Sequence, residues 1–406
     1  MPFAAPGATV VGMLPIRRFV LFASLLAPGA CTGYYAGLSQ GVGGGTGGSP
    51  QTWQQVAPGQ EQTCGVNTSG AAYCWGTNEY GEIGDGTTIA ARYTPKAVAG
   101  GLTFQSLAAG ANHSCGIAAD SVAFCWGANA HAQLGDGTLT DRSAPVAVGG
   151  GLAFARLSGG AGYTCGLAKS GSAYCWGDNS LGELGVGDTA RRSMPTLVGS
   201  FMALTFGSVS AGDWSGSFHA CGITAAQSTY CWGDNSQGEL GTGDYTAHTL
   251  PVAVTGGLTF ASVSAGGPHS CALTADGAAY CWGGNAYGEL GTGDTTRRPT
   301  PTAVAGGLTF SSLSAGGAYT CGLVSGAAYC WGYNAYGQLG VGDTLPRTSP
   351  TLVAGGLSFQ SLTSGFDHSC GITSGGAAYC WGRNQDGQLG DNTTTDRTQP
   401  VAVANP

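Results

Sequence analysis

Charged side chains are scarce in this 406-residue chain, where Asp, Glu, Lys and Arg together make up 9% of all residues. Basic residues are the rarer kind, with 14 against 22 acidic ones. Two of the 14, Arg17 and Arg18, lie in an N-terminal segment that is expected to be removed, which leaves 12. A nucleic-acid-binding surface is basic, because it has to neutralise phosphates. We therefore expect no nucleic-acid partner.

Helical patterning is missing as well. After residue 31 no long stretch places apolar residues at helical spacing. The apolar run Phe19–Ala30 has twelve residues and is too short to span a membrane as a helix, which takes about 20. The chain is instead rich in glycine, with 75 residues, and 42% of it is hydrophobic. This composition favours an all-β domain with a filled core and many tight turns.

One segment of about fifty residues is repeated seven times, and each copy begins its best-preserved part with a cysteine. The starts of the copies are 51, 50, 56, 50, 50 and 49 residues apart. A period with so little drift indicates one supersecondary unit used seven times. The leading cysteines are Cys64, Cys115, Cys165, Cys221, Cys271, Cys321 and Cys370.

The preserved part of each copy is predicted to be a β-hairpin. In the fifth copy, placing Cys271 opposite Cys281 leaves the three-residue loop Ala275–Gly277, whose last residue is the glycine that such loops require. The sixth copy is one residue shorter, and its two-residue loop Ser325–Gly326 keeps the cysteines opposite each other. Opposed residues of antiparallel strands lie within disulfide range. The predicted disulfides are Cys64–Cys74, Cys115–Cys125, Cys165–Cys175, Cys221–Cys231, Cys271–Cys281, Cys321–Cys330 and Cys370–Cys380.

Strand alternation assigns the two faces of each hairpin. Cys281 points to one face, and Tyr280 and Trp282 point to the other. Two further strands are predicted in each copy, from runs such as Leu308–Leu313 and Pro251–Val254. Four-stranded sheets of this kind stack radially, aromatic face against small-residue face. We predict a seven-bladed β-propeller of about 50-residue repeats with one disulfide inside each blade.

The N-terminus reads as a signal peptide, because Arg17 and Arg18 precede the apolar run and small residues follow it. Cys31 comes next and is the odd cysteine left after seven pairs. The arrangement resembles a bacterial lipoprotein signal, which implies that Cys31 is lipid-modified; simple secretion is the alternative. Export also accounts for the disulfides. The expected domains are a signal peptide (1–30), a lipid-anchor cysteine with a Gly-rich linker (31–52) and the propeller (53–406).

The repeat motif resembles the regulator of chromosome condensation repeat over about residues 53–403. Trp282–Asp294 and Ala265–Ser270 carry the resemblance most clearly. It implies a seven-bladed propeller, and a first-strand equivalent at Trp53–Val56 and a last-strand equivalent at Pro400–Val403 would close the ring if they share a blade. The family's founder exchanges nucleotide on a small GTPase and sits on chromatin. We do not expect those functions in an exported, acidic chain.

Polar residues that recur in the copies are interpreted as structural. The histidines belong to a turn in which Tyr163 and Tyr319 take the same place in other copies, and the recurring aspartates are expected to cap turns rather than bind calcium. A recurring arginine either pairs within its own blade or contributes to a basic ring for an acidic partner. The residues concerned are His113, His219, His269 and His368; Asp85, Asp136, Asp188, Asp244, Asp294, Asp343 and Asp391; and Arg92, Arg142, Arg192, Arg298, Arg347 and Arg397.

Residues that depart from the repeat are the candidates for a binding function. The fourth copy is six residues longer than the common period, with an aromatic-bearing insertion before its first cysteine, and a histidine replaces its arginine. The residue before Gly in the N-x-x-G segment also varies from copy to copy. Aromatic residues dominate the energetics of protein interfaces. The predicted partner-binding residues are Asp213, Trp214, Phe218, His248, Tyr80, Tyr287 and Tyr336.

The leading hypothesis is an exported, lipid-anchored, monomeric scaffold that binds a protein or a glycan at the cell envelope, without cofactor, metal or catalytic residues. One alternative is a secreted enzyme inhibitor similar to beta-lactamase inhibitory protein II. A second is an envelope hydrolase or lyase with its site at the mouth of the propeller. Guanine-nucleotide exchange, by family analogy, is the third.

Overall fold

The computed structural model describes residues 51–89, 91–212 and 218–406. They form 28 strands in seven four-stranded antiparallel sheets, which confirms the predicted seven-bladed propeller. Each sheet is built from one continuous stretch of chain, and we number the blades one to seven in chain order. Within the described residues there is no helix that could cross a membrane.

Blades one to four have the following strands: β1 Trp53–Pro58, β2 Gln62–Asn67, β3 Ala72–Gly76, β4 Arg92–Ala97; β5 Phe104–Ala109, β6 His113–Ala118, β7 Ala123–Gly127, β8 Arg142–Ala147; β9 Phe154–Gly159, β10 Tyr163–Ala168, β11 Ala173–Gly177, β12 Arg192–Leu197; β13 Phe206–Ala211, β14 His219–Thr224, β15 Thr229–Gly233 and β16 His248–Ala253. Blades five to seven have β17 Ser262–Ala265, β18 His269–Leu273, β19 Ala279–Gly283, β20 Arg298–Ala303; β21 Ser312–Ala315, β22 Tyr319–Val324, β23 Ala327–Gly332, β24 Arg347–Leu352; β25 Phe359–Ser364, β26 His368–Thr373, β27 Ala378–Gly382 and β28 Arg397–Ala402.

The central hairpin of each blade has the predicted register. Cys271 lies opposite Cys281, and the loop between them ends at Gly277 with φ of +84°. In blade six the hairpin narrows to the two-residue loop Ser325–Gly326, both with positive φ, and the cysteines still face each other. The seven predicted disulfides are all formed, each between cysteines that are at most 1% exposed.

Neighbouring blades pack as the strand alternation predicts. The disulfide Cys221–Cys231 of blade four lies in one buried cluster with Phe260 and Trp282 of blade five. The Trp282 indole N–H also donates to the main-chain oxygen of Glu239 in blade four, at 2.8 Å. The same tryptophan-to-carbonyl bond joins every pair of successive blades, so seven equal interfaces make up the ring.

The two ends of the chain do not share a blade, so the ring is not closed by strands from both ends. Strand β1 pairs with β2 in blade one, whereas β28 pairs with β27 in blade seven. Blades seven and one meet through the ordinary interface instead, with Trp75 donating to the Gln388 carbonyl at 2.9 Å. Trp53 packs in one cluster with Cys370 and Cys380. Closure therefore depends on side-chain packing and turn hydrogen bonds at this seam.

The predicted signal peptide, Cys31 and most of the linker lie outside the described residues. The last two residues of the predicted linker already contact the propeller: the backbone N–H of Gln51 donates to Asn405 at 3.2 Å, and the Thr52 carbonyl accepts from Thr68 at 3.0 Å.

Replacing both Cys271 and Cys281 by alanine is expected to lower the free energy of unfolding by about 2–3 kcal/mol, because the bridge no longer restricts the unfolded chain. Denaturant unfolding without reductant measures the change, and the reduced wild type, which loses all seven bridges, should be destabilised further. An unfolding midpoint equal to that of the oxidised wild type would contradict a stabilising role for this disulfide.

Candidate binding face

A belt of buried polar side chains runs around the ring from blade to blade. The first residue of each second strand reaches the following blade. His269 Nε2, for example, lies 2.9 Å from the Thr320 hydroxyl, which in turn donates to the Glu289 carbonyl at 2.9 Å. Because that hydroxyl has one proton, the His269 Nε2–H is the donor. The belt consists of Gln62, His113, Tyr163, His219, His269, Tyr319 and His368, all without solvent exposure.

The belt histidines are neutral. Burial lowers the pKa of His113 and His219 to about 4, and that of His269 and His368 to about 3. Their Nδ1 atoms have no hydrogen-bond partner among the described residues. Side chains enclosed in this way join the blades and are inaccessible to a substrate, which supports the structural interpretation of these histidines.

The recurring arginines pair with aspartates inside their own blades, so the basic-ring interpretation is wrong. Arg92 contacts Asp85 at 2.7 Å and Arg298 contacts Asp294 at 2.7 Å. The aspartates also cap their loops, as Asp85 does by accepting from the Thr87 N–H at 3.0 Å. The remaining pairs are Arg142–Asp136, Arg192–Asp188, Arg347–Asp343 and Arg397–Asp391. Among the described residues no group of His, Cys, Asp or Glu side chains is arranged to hold a metal ion.

The loop between the third and fourth strands is held from within by two side chains. Asn285 accepts from the Leu290 N–H at 3.0 Å and donates to the carbonyls of Asp294 and Thr296, both at 3.0 Å. Glu289 accepts from the Tyr287 N–H at 2.8 Å. These bonds fix the loop tip, so the residue at the tip is presented on a rigid support.

The sequence interpretation missed the glutamate or glutamine of this loop. Although charged or polar, it is buried in every blade, and burial raises the pKa of Glu82 and Glu183 to about 7. The missed signal was that every copy carries Glu or Gln two residues after the variable tip. The residues are Glu82, Gln133, Glu183, Glu239, Glu289, Gln338 and Gln388.

Five positions of the repeat vary from blade to blade, and all lie at the same edge of the sheets. In blade five they are Pro268, Gly284, Ala286, Tyr287 and Arg297. Turns between strands one and two share an edge with loops between strands three and four, because the strands are antiparallel. We call the surface formed by these positions in all seven blades the variable face. The opposite edge carries hairpin turns and connectors made mostly of Gly, Ala, Ser and Thr.

Two hollows open on the variable face. The blade-five hollow, of about 400 Å³, is lined by Gln237, Pro268, Tyr287, Arg297 and Ala318, with the adjoining loop backbone. The blade-two hollow, of about 300 Å³, has the same plan. The residues that line it at the equivalent positions are Tyr80, Asn112, His131, Asp141 and Gly162, and Asp178 and Phe218 complete it.

An aromatic run extends from the blade-five hollow across blade six. The rings of Tyr287 and Tyr333 have centroids 4.7 Å apart, and those of Tyr333 and Tyr336 are 6.3 Å apart. The Arg383 guanidinium lies 5.9 Å from the Tyr336 ring and pairs with Glu61 at 3.0 Å. The variable face therefore combines exposed aromatic rings with charged groups.

The structure brings most of the described predicted binding residues to the variable face. Tyr80 and Phe218 line the blade-two hollow, Tyr287 lines the blade-five hollow, and Tyr336 lies beside it. Phe218 also packs against the core cluster of blades three and four. His248 lines neither hollow: it begins β16, the outermost strand of its blade. Asp213 and Trp214 lie outside the described residues.

A space of about 190 Å³ lies at the centre of the ring and is lined by the first strand of each blade, mostly by small residues and also by Gln55, Leu107 and Leu157. Its hydroxyls are used between blades, as when the Ser264 oxygen accepts from the Ala315 N–H at 3.0 Å. This space therefore adds no cluster of ionisable side chains to the candidate site.

Comparison with protein families agrees with this geometry. The model of the RCC1-like domain matches residues 40–322, and that of the regulator of chromosome condensation (RCC1) repeat matches residues 325–372 and 375–406. The chain belongs to the RCC1-like domain family.

Curated relatives of this RCC1-like domain match over short stretches. The probable E3 ubiquitin-protein ligase HERC4 of Homo sapiens is 34% identical over 83 residues, which cover 20% of this chain and 8% of that protein. The regulator of chromosome condensation of Xenopus laevis is 32% identical over 93 residues, or 23% of this chain and 22% of that one. The aligned stretches thus span less than a quarter of either relative.

Solved structures share the fold over most of the RCC1-like domain. Human WBSCR16 superposes with a TM-score of 0.73 at 22% identity, covering 83% of this chain and 95% of that one. Yeast RCC1 (Prp20), solved bound to Kap60, superposes with a TM-score of 0.72 at 21% identity, covering 87% of this chain and 86% of that one. The ectodomain of the Physcomitrella patens receptor kinase CR4 superposes with a TM-score of 0.53 at 25% identity, covering 82% of this chain and 74% of that one.

The belt makes stability depend on pH. Since the pKa of His269 is about 3 in the folded state against an ordinary value of 6.5, its contribution is complete above pH 6.5 and is lost as the pH falls towards 3. The conservative change is His269→Gln, because Gln62 fills the same place in blade one. Between pH 7.5 and 4.5 the wild type is expected to lose on the order of 2 kcal/mol more unfolding free energy than the variant. Denaturant titrations at a series of pH values measure the difference. If the unfolding free energies of the wild type and the variant change equally with pH, His269 is not the titrating group.

Proposed function

We propose that this RCC1-like domain is an exported, lipid-anchored scaffold that binds a protein or a glycan at the cell envelope through its variable face. One observation carries the proposal. The polar residues that recur in the repeat bond to neighbouring blades or within their own blade, whereas the residues that differ between blades gather at one edge. A surface of this kind is suited to recognition, because its side chains change without disturbing the ring.

The cysteines and the N-terminal sequence support the proposed location. Seven disulfides indicate an oxidising environment outside the cytosol. Arg17, Arg18, the apolar run after them and Cys31 have the order of a lipoprotein signal. The similarity to the ectodomain of the receptor kinase CR4 supports use of this fold outside the cell.

Binding is favoured over catalysis by the way the histidines are used. Four of the six histidines are enclosed in the belt and kept neutral. General acid–base catalysis needs a group that reaches the substrate. A similar propeller, yeast RCC1, has been solved with the protein Kap60 bound. We propose a partner held by a surface, with no chemistry performed on it.

The double change Tyr80→Ala and Tyr287→Ala tests the variable face. Both rings are more than 40% exposed, so the fold should be retained while aromatic contact with the partner is lost. We expect at least tenfold less partner recovered from a cell-envelope extract by the tagged protein, since an aromatic anchor contributes about 1–2 kcal/mol or more to an interface.

The control for this experiment is Phe201→Ala, which removes a 72% exposed ring from the connector between blades three and four, at the opposite edge. It should recover as much partner as the wild type. Equal recovery of the partner by the wild type, the double variant and the control would show that the variable face is not the binding surface.

The change Cys31→Ala tests the anchor. We expect the wild type, expressed in a bacterium with lipoprotein processing, to enter the detergent-rich phase on phase separation, and the variant to stay in the aqueous phase. The reason is that lipid chains on Cys31 supply the membrane affinity. Aqueous partitioning of the wild type would favour simple secretion and would leave the variable face unaffected as a binding surface.

A further inference from the structure

The two hollows of the variable face have the same backbone plan and opposite charge. At the position before the strand-four arginine, the blade-two hollow has Asp141 and the blade-five hollow has Arg297. At the loop tip, blade two has His131, which lies 3.6 Å from Asp178, whereas blade five has Tyr287. Since the backbone is shared, a difference in ligand preference between the hollows must come from these side chains.

Arg297 differs from the arginines of the repeat motif in having no acidic partner among the described residues. Six arginines at that motif position pair with aspartates of their own blades. Arg297 is exposed, and its guanidinium lies 4.5 Å from the centre of the Tyr245 ring. A cation–π contact holds the side chain while leaving its N–H groups available.

Acidic groups near the blade-five hollow are already engaged. Glu289 is 1% exposed, burial raises its pKa, and it accepts from the Tyr287 N–H. Asp234 is 7% exposed and accepts from the backbone N–H groups of Asn235 at 2.8 Å and Ser236 at 3.1 Å. Among the described residues that line this hollow, Arg297 is therefore the one with an exposed charge, and the hollow favours an anion.

Tyr287 forms a flat wall beside Arg297. Its ring is 45% exposed and packs on Tyr333 at 4.7 Å, so its orientation is fixed while one part of it stays open. The Gln237 side-chain amide lines the hollow and has no hydrogen bond to another described residue. An aromatic wall, an amide and a guanidinium converge on a space of about 400 Å³, which lies within the range of roughly 300–1,000 Å³ for small-ligand sites.

Loop backbone around the hollow is already hydrogen-bonded. The Gly284 N–H donates to the Pro268 carbonyl at 2.7 Å, and the Leu290 N–H donates to Asn285. An extended peptide that adds to a sheet needs a free backbone edge, which these loops do not offer. A ring that stacks on Tyr287 and presents a carboxylate to Arg297 uses the groups that are free.

We propose that the blade-five hollow binds a uronic acid residue of an acidic polysaccharide. Tyr287 stacks on the C–H face of the sugar, Arg297 donates paired hydrogen bonds to the carboxylate, and Gln237 bonds the hydroxyls. The inference rests on the proposed binding function and assigns one of its subsites a ligand class.

The test is calorimetric titration of the mature protein with tetramers of galacturonate and of mannuronate. We expect binding of at least one acidic tetramer, and at least tenfold weaker binding of its methyl ester, which keeps the rings and loses the charge. Arg297→Gln and Tyr287→Ala should each weaken binding at least tenfold, whereas Tyr287→Phe should not. The matched control is Lys169→Gln, which removes one exposed positive charge from the hairpin turn of blade three, at the opposite edge, and should leave the affinity unchanged.

Three results would overturn the proposal: no binding of either acidic tetramer, equal binding of acid and ester, or full affinity in Arg297→Gln with wild-type thermal stability. Stronger binding of a tetraglutamate peptide than of the sugars, dependent on Arg297, would overturn it in favour of an acidic peptide. If the sugar fails while partner recovery still depends on Tyr80 and Tyr287, the ligand class is wrong and the binding function stands.

Discussion

The contact between successive blades is the constraint on which this molecule depends. A tryptophan packs on the disulfide of the preceding blade and donates its indole N–H to that blade's buried loop. The loop backbone of one blade lies very close to the tryptophan of the next, since a Cβ added at Gly291 would lie 2.7 Å from Trp331 Nε1. A ring of seven blades closes only if every step has nearly the same geometry. The repeated motif is best understood as the set of residues that reproduces this step.

This constraint separates stability from recognition. Disulfides, tryptophans, belt residues, buried glutamates or glutamines and Arg–Asp pairs all serve one blade or join two blades, so each is needed wherever a blade occurs. The side chains of Tyr287 and Arg297 take part in none of these contacts with the repeated framework, and the residues at their positions differ between blades. The framework therefore holds the tips rigid while the tips remain free to vary. Rigid presentation lowers the entropy lost when a ligand is bound.

The hairpins and disulfides were predictable because they depend on residues close in sequence. The spacing of Cys271 and Cys281 and the turn glycine Gly277 fix the register, and the shorter sixth copy confirms it. Ring closure could not be decided from the sequence, because it depends on whether the first and last strands of the chain belong to one sheet, which no local pattern records. Glu289 was missed because a glutamate is ordinarily exposed; its burial needs the Tyr287 N–H and the next blade. The hollow around Tyr287 takes side chains from three blades, so it is not readable from any one copy.

Net charge is a poor guide to what such a surface binds. The chain has 14 basic and 22 acidic residues, which suggests repulsion of anions. Six aspartates, however, are neutralised by arginines in their own blades, and Glu82 and Glu183 are buried with raised pKa values. The Debye length at physiological ionic strength is about 8 Å, so exposed charges farther away are largely screened. A ligand in the blade-five hollow therefore responds mainly to Arg297, and an acidic protein can offer an anion site where one blade carries an additional arginine without an acidic partner among the described residues.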